Sequence, residues 1–324
     1  RADPGYRPAK SDRPAIASVC RILDGSPLGI ELASSWVRMV APGDIEKELR
    51  HNFELLDSAP LDMPGRHRGL EAVFEYSWSL LDDRERDALS GLSVFAGQFD
   101  AEAASQVVEC GLPVLRRLVD KSLVQCPEKG RFVMHPIVHA YAAGKLAKEP
   151  ARLEDLRERH ARHFAASMKR VAPELPLAGS AEALKQVEAA LPNLMQAWDH
   201  AAERWTASDA KVFYIVMSHL FIVRSTLAIG WQVFEGKLRL YRKRWGIDPE
   251  PAQAALMSGL LERMATFRNL SGSLDESRPL LAEALELATR SDDPELEPRI
   301  LGTMGVLEAR MANRPEAKSC FRRM

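Results

Sequence analysis

The chain has 324 residues, 46% hydrophobic and 27% charged, the composition of an ordinary globular protein with room for two or three domains. With 44 Lys and Arg against 45 Asp and Glu, the net charge of -1 excludes an overall pull toward nucleic acid or an anionic membrane. No apolar run approaches the roughly 18 residues of a membrane span, and the polar stretch from Arg1 to Ala15, with three prolines, does not read as a signal peptide.

In chain order, nearly everything reads as helix. Ile16, Val19, Cys20 and Leu23 stand at helical spacing over 14–23, and Asp24-Gly25 breaks that helix. Pro27 then suits the first turn of a second helix with Ser26 as its N-cap. Leu28, Leu32, Trp36 and Met39 share one face of it. Asp44 is expected to cap a third helix reaching about Leu55. A Pro/Gly/His/Arg-rich linker covers 57–67. Helices are expected over 68–80, over 83–91, from Phe99 or Asp100 to Val108, and over 112–121, with a short apolar piece at 92–95 between the second and third. Two strand-like pieces, Leu123–Gln125 and Arg131–Met134, flank a Lys129-Gly130 turn, and a helix follows Pro136. Three helices and then a hairpin is the order of a winged helix.

From residue 150 onward about eight helices are expected. Gly236, Ser277 and Ala317 recur at spacings of 41 and 40, small residues where helices must touch, which reads as a helical solenoid. Trp231 and Phe234 lie near the start of this repeat and serve either as core or as a partner-binding surface; aromatic residues at helical spacing favour core.

Candidates for chemistry are few. Cys20, Cys110, Cys126 and Cys320 lack zinc or C-x-x-C spacing and read as free thiols of a cytoplasmic protein. His160 and His163 share a helix without the acid of H-E-x-x-H, so a solvated face is expected and no metal. No G-x-S-x-G, GxxxxGK[ST] or G-x-G-x-x-G occurs, so no catalytic residue is assigned and no nucleotide hydrolysis is expected of this chain alone. The helix at 112–121 carries Arg116, Arg117 and Lys121. From Arg66 to Pro150, however, eleven Lys/Arg meet twelve Asp/Glu, which argues against direct DNA binding. Two weak features remain: Pro27 at a helix start, a rigid apolar face for a ligand, and His135 at a strand-to-helix junction, an imidazole able to donate to a phosphate.

Four segments occur in an order that resembles the signal-transduction ATPases with numerous domains, the STAND class that includes NB-ARC proteins. They are Cys20 to Ala33 with its Gly25-Ser26-Pro27-Leu28-Gly29, Leu92 to Asp100, Leu118 to Val124, and Arg131 to Pro136 followed by Tyr141-Ala142. Leu191-Pro192-Asn193-Leu194 and the repeat offsets are similar to members with C-terminal tetratricopeptide-like repeats. The resemblance implies a mainly α fold of three parts: a helical subdomain over 1–57, a winged helix with a small β-hairpin over 66–148, and TPR-like helical hairpins over 150–324.

It further implies a regulatory switch rather than an enzyme, the alternatives being a winged-helix regulator that binds DNA and a repeat scaffold with no nucleotide link. Pro27 and Leu28 would line a nucleotide half-site, with Pro27 against the adenine, and His135 would contact the β-phosphate of ADP. ADP or ATP with Mg is implied only for an intact protein carrying its own NTPase domain ahead of Arg1; no cofactor is expected for this chain alone, both of whose ends look cut. Implied partners are a protein or small-molecule inducer on the repeats, that NTPase domain, and other copies of the chain, but no membrane. Gly29 stands where the family has Ala, and Pro136 where the M-H-D motif has Asp.

Overall fold

The computed structural model describes residues 8–23, 25–38, 40–57, 73–175 and 181–324. Two compact units result, Arg1–His160 and Ala161–Met324. The fold is mainly α: a helical subunit and a winged helix in the first unit, and helical hairpins of an α-solenoid in the second.

Three helices open the first unit: α1 (Arg13–Ile22), α2 (Pro27–Ser35) and α3 (Pro42–Asp57). Gly25 takes a left-handed φ of +67°, which lets the chain reverse between α1 and α2. Leu23, Leu32, Trp36, Ile45 and Leu49 form the core. The Asp44 cap does not hold. Pro42 opens α3, because the N–H groups of Asp44 and Ile45 both return to the Ala41 carbonyl, at 3.0 and 3.1 Å. Proline fits that first position, where its missing N–H costs nothing. The linker expected over 57–67, the helix start at 68 and the place of Met39 lie outside the described residues.

The winged helix follows: α4 (described over 73–79), α5 (Asp83–Leu92), α6 (Ala101–Val108), α7 (Leu112–Asp120), β1 (Gln125–Glu128), β2 (Arg131–Val133) and α8 (Pro136–Leu146). Asp82 caps α5 and Asp100 caps α6, each side chain accepting a backbone N–H three residues on, at 2.8 Å. Strands β1 and β2 pair antiparallel around Gly130, whose φ is +80°. Phe99 exchanges both backbone hydrogen bonds with Phe132, at 2.9 and 2.8 Å, adding a third short extended piece.

The first strand starts later than the sequence pattern places it. Ser122 turns left-handed at φ 58° after α7, and the N–H groups of Leu123 and Val124 return to the Leu118 carbonyl. Both side chains are buried. They close the helix end, so pairing begins at Gln125. The apolar piece at 92–95 is a buried turn that stacks Phe95 on Phe99 with centroids 4.6 Å apart. Helix α9 (Pro150–Val171) carries His160. That residue is 1% exposed and rests against Phe95, so the solvated face expected there is corrected.

Beyond α9 the second unit holds α10 (Ala181–Arg204), α11 (Ala207–Val223), α12 (Leu227–Trp245), α13 (Pro251–Ser271), α14 (Leu274–Thr289), α15 (Leu296–Arg310) and α16 (Arg314–Arg323). Three hairpins, α11–α12, α13–α14 and α15–α16, turn in the same way. Ser225, Gly272 and Ala312 each take a left-handed φ, of 54°, 89° and 61°. The N–H of the next residue then returns five residues back, to the carbonyls of Phe221, Arg268 and Glu308. This is a Schellman-type closure, in which one left-handed residue satisfies the last helical carbonyls and starts the return.

The repeated small residue sits five positions after each left-handed one: Gly230, Ser277 and Ala317, all buried. A Cβ on Gly230 would meet Phe221 and Phe267 at 3.0–3.1 Å, so helices cross closely there. Gly236, the residue picked out by the 41-residue spacing, faces open space. The true offset is 47 residues and then 40, and unequal helix lengths hide it from a fixed-period reading.

Candidate functional site

The two residues singled out for a nucleotide both stand at helix N-termini in the first unit. At α2 the Ser26 hydroxyl accepts the Gly29 N–H at 3.3 Å, and Pro27 occupies the first helical position with its ring exposed. Leu28 is the second helical residue; its side chain lies outside the described part. Gly29 is buried, so the small residue at this position faces inward. The α2 end is tied to the winged helix. Ser35 donates its hydroxyl to the Lys121 carbonyl at 3.2 Å, and Trp36 meets Tyr76 edge-on with centroids 4.7 Å apart.

At α8, His135 is itself the N-cap: its Nδ1 accepts the Ile137 N–H at 3.3 Å. A nitrogen that accepts carries no proton, so the neutral ring holds its proton on Nε2, the nitrogen turned away from the helix. Half-buried, His135 therefore presents a donor at a helix N-terminus, where the backbone dipole favours an anion. Pro136, in the first helical position, adds no donor but fixes the turn.

The surface that would read DNA is already occupied from within. Glu85 of α5, with 3% of its side chain exposed, binds Arg117 Nε at 2.8 Å and Lys121 Nζ at 2.6 Å. Arg117 also reaches Asp82 at 3.4 Å, and Arg116 lies 3.9 Å from Asp120. Burial pushes the Glu85 carboxyl up. The hydrogen bonds from Lys121, the Asp82 backbone and Arg117 outweigh that and hold it below its ordinary value. Glu85 thus holds Arg117 and Lys121 against α5, while Arg116 stays 84% exposed. Sequence inspection missed Glu85, although Asp82-Asp83-Arg84-Glu85 carries a capping-box spacing that marks it.

Of the aromatic pair in the repeats, Phe234 is fully buried, edge-on to Trp198 and Phe267 at 5.3 and 5.2 Å. It belongs to the core and cannot touch a partner. Trp231 is half-buried beneath the Arg268 guanidinium, 3.8 Å from its centroid, and Arg268 in turn pairs with Glu276 at 2.9 Å. Among the described residues no group of three His, Cys, Asp or Glu side chains is placed to hold a metal ion, and no helix is long and apolar enough to cross a membrane.

No protein-family model matches this chain. Over 177 residues, 51% of its length, it is 33% identical to a Mycobacterium tuberculosis protein named "Putative HTH-type transcriptional regulator", and the match spans 20% of that relative. The chain thus covers about a fifth of the length of the curated relatives it matches. An uncharacterized protein of the same organism is 37% identical over 92 residues, 28% of this chain and 23% of the relative. Among solved structures, a Pyrococcus horikoshii STAND protein with a tetratricopeptide repeat sensor aligns over 90% of this chain and 52% of its own. That alignment has 15% identity and a TM-score of 0.31, a level that carries no argument.

Proposed function

We propose that this chain is the regulatory part of a STAND-type nucleotide-operated switch. In this reading the helical subdomain and the winged helix close over ADP held by an NTPase domain encoded outside the 324 residues, and the helical hairpins sense an inducer. The protein works in the cytoplasm, and release of the closed state exposes surfaces for self-assembly or for an output domain. The ATP-with-Mg chemistry belongs to the NTPase domain. This chain contributes Pro27 and Leu28 as an apolar wall and His135 as a hydrogen-bond donor to a phosphate.

The observation that carries the reading is the His135 geometry: a cap through Nδ1 that leaves the Nε2 proton free for an anion at the start of α8. Binding of ADP to that donor would favour the closed state by the differential affinity of the two states alone. The test is release of a fluorescent ADP from the full-length protein. A hydrogen bond to a charged group contributes about 1.5–3 kcal/mol, so His135→Ala should speed release about 10- to 150-fold and raise basal output. An unchanged release rate sinks the proposal. A GxxxxGK[ST] loop upstream of Arg1 in the coding sequence is the companion expectation.

The name of the mycobacterial relatives favours a second reading, direct DNA binding through the winged helix. The pairing of Arg117 and Lys121 with Glu85 weighs against it. A salt-dependent mobility shift of labelled duplex by this chain would revive it.

A further inference from the structure

At the end of the hairpins away from their turns, the loop from Gly246 to Glu250 and the last turns of α12 and α14 enclose a cavity of about 330 Å³. Gly246 shapes the loop: a φ of 76° with a ψ of -156° is a conformation that essentially only glycine adopts. Pro249, Met257 and Leu287 are buried and form an apolar floor. The rim is charged. Arg242 pairs with Glu283, and Arg290 pairs with Asp248, so those four charges are matched within the protein. Glu286 lines the same cavity, is exposed, and has no ion pair among the described residues.

With the neighbours counted, three cations (Arg242, Lys243 and Arg290) face four carboxylates (Asp248, Glu250, Glu283 and Glu286), which leaves the mouth net negative. Of the other cations near the end of α12, Arg239 pairs with Glu235, and Arg244 turns away to the Ala202 and Trp205 carbonyls. The C-termini of α12 and α14 add the negative ends of two helix dipoles, while the positive N-terminus of α13 is closed by the Glu250–Gln253 capping box. Ile247 stands at the mouth, 98% exposed, where an apolar body below it would take its surface out of water. We propose that this cavity binds a small organic cation, a primary ammonium on an apolar body. The ammonium sits on the Glu286 carboxylate at the rim, and the body rests on Met257 and Leu287 beneath Ile247. With the carboxylate outside and the apolar floor inside, a protein lysine would drive its ammonium into the floor, so the geometry selects a free amine. The volume falls at the small end of ligand pockets, which span about 300–1,000 Å³. The site rests on this geometry; only its consequence, that the amine acts as an inducer, rests on the reading of the repeats as the sensor.

The test is isothermal titration calorimetry of the whole chain with n-hexylamine, against hexanoate and hexanol. Hexylamine should bind with a Kd of about 1 mM or tighter, and the other two at least about tenfold more weakly. Glu286→Gln should weaken hexylamine about fivefold, the scale of an exposed ion pair. Ile247→Ser should weaken it about threefold through lost apolar cover. Both positions are exposed, so both variants keep the fold. Glu316→Gln, in the first turn of α16 at the other end of the hairpins, should leave the affinity unchanged. Wild-type affinity in Glu286→Gln or in Ile247→Ser, hexanoate or hexanol binding as tightly as hexylamine, or an equal loss in Glu316→Gln would overturn the assignment, as would no saturation by about 10 mM. Nucleotide plays no part in this assay, so its failure leaves the ADP experiment standing, and the reverse holds too.

Discussion

Glu85→Gln is the sharpest perturbation of the winged helix, because one carboxylate joins α5 to the end of α7 through three hydrogen bonds. In the native protein it accepts Arg117 Nε at 2.8 Å, Lys121 Nζ at 2.6 Å and the Asp82 N–H at 3.0 Å. Glutamine keeps one accepting oxygen and turns an NH2 toward a cation, so at least one charge-assisted bond is lost and a donor faces a donor. Removing one partner of a fully buried pair costs about 3–5 kcal/mol. Here Arg117 and Lys121 keep 45% and 20% of their side chains in water and recover part of their hydration, which lowers the expected loss to about 2–3 kcal/mol. Native-state hydrogen exchange reads this locally: amides of α5 and α7 should exchange about 30- to 150-fold faster, with α13 and α14 unchanged.

The pH dependence has a defined sign. The Glu85 carboxyl is held below its ordinary value in the fold, so its contribution is complete above the unfolded value of about 4.3. That contribution fades as pH falls through the lower folded value. Variant and wild type should therefore converge in acid and diverge above about pH 4. A loss below about 0.5 kcal/mol at pH 7 would mean that the network behaves as an exposed ion pair, and the internal neutralisation of α7 would be refuted.

Two further expectations concern the repeats. Lys237 is buried at 6% side-chain exposure against Asp199, which is 66% exposed, and burial pushes its pKa down despite that partner. The charged form then costs stability at neutral pH, and the cost is relieved as pH climbs toward the ordinary lysine value of about 10.4. Lys237→Met should hold or raise the unfolding free energy at pH 7, by up to about 1 kcal/mol, with the gain shrinking in alkali; a clear drop would refute the sign. In the α11–α13 contact, a Cβ on Gly259 would stand 2.7 Å from the Tyr214 hydroxyl, whereas one on Gly236 meets nothing within 4 Å. Gly259→Ala should lose about 1–3 kcal/mol in chemical denaturation, and Gly236→Ala should gain up to about 1 kcal/mol; equal effects would discredit the hairpin register.

The sequence by itself determined most of the helices, because their signals are local. Ser26-Pro27, Asp100 and His135-Pro136 each start a helix from chemistry contained within one turn. Burial of Leu115 and Leu118 likewise follows from spacing along α7 alone. Its limits appear where a distant residue decides. Leu123 and Val124 have strand-like side chains but are claimed by the end of α7. The repeat offset cannot be read from Gly236, since only the packing of Phe221 and Phe267 singles out Gly230. Arg117 and Lys121 look like a nucleic-acid surface in sequence, and a carboxylate 32 and 36 residues away binds both. Glu262, in an apolar helix, gains its meaning from Arg299 and Thr303 on α15. Backbone preference and periodicity act within a few residues, whereas electrostatic pairing and close packing join residues that only the folded chain brings together.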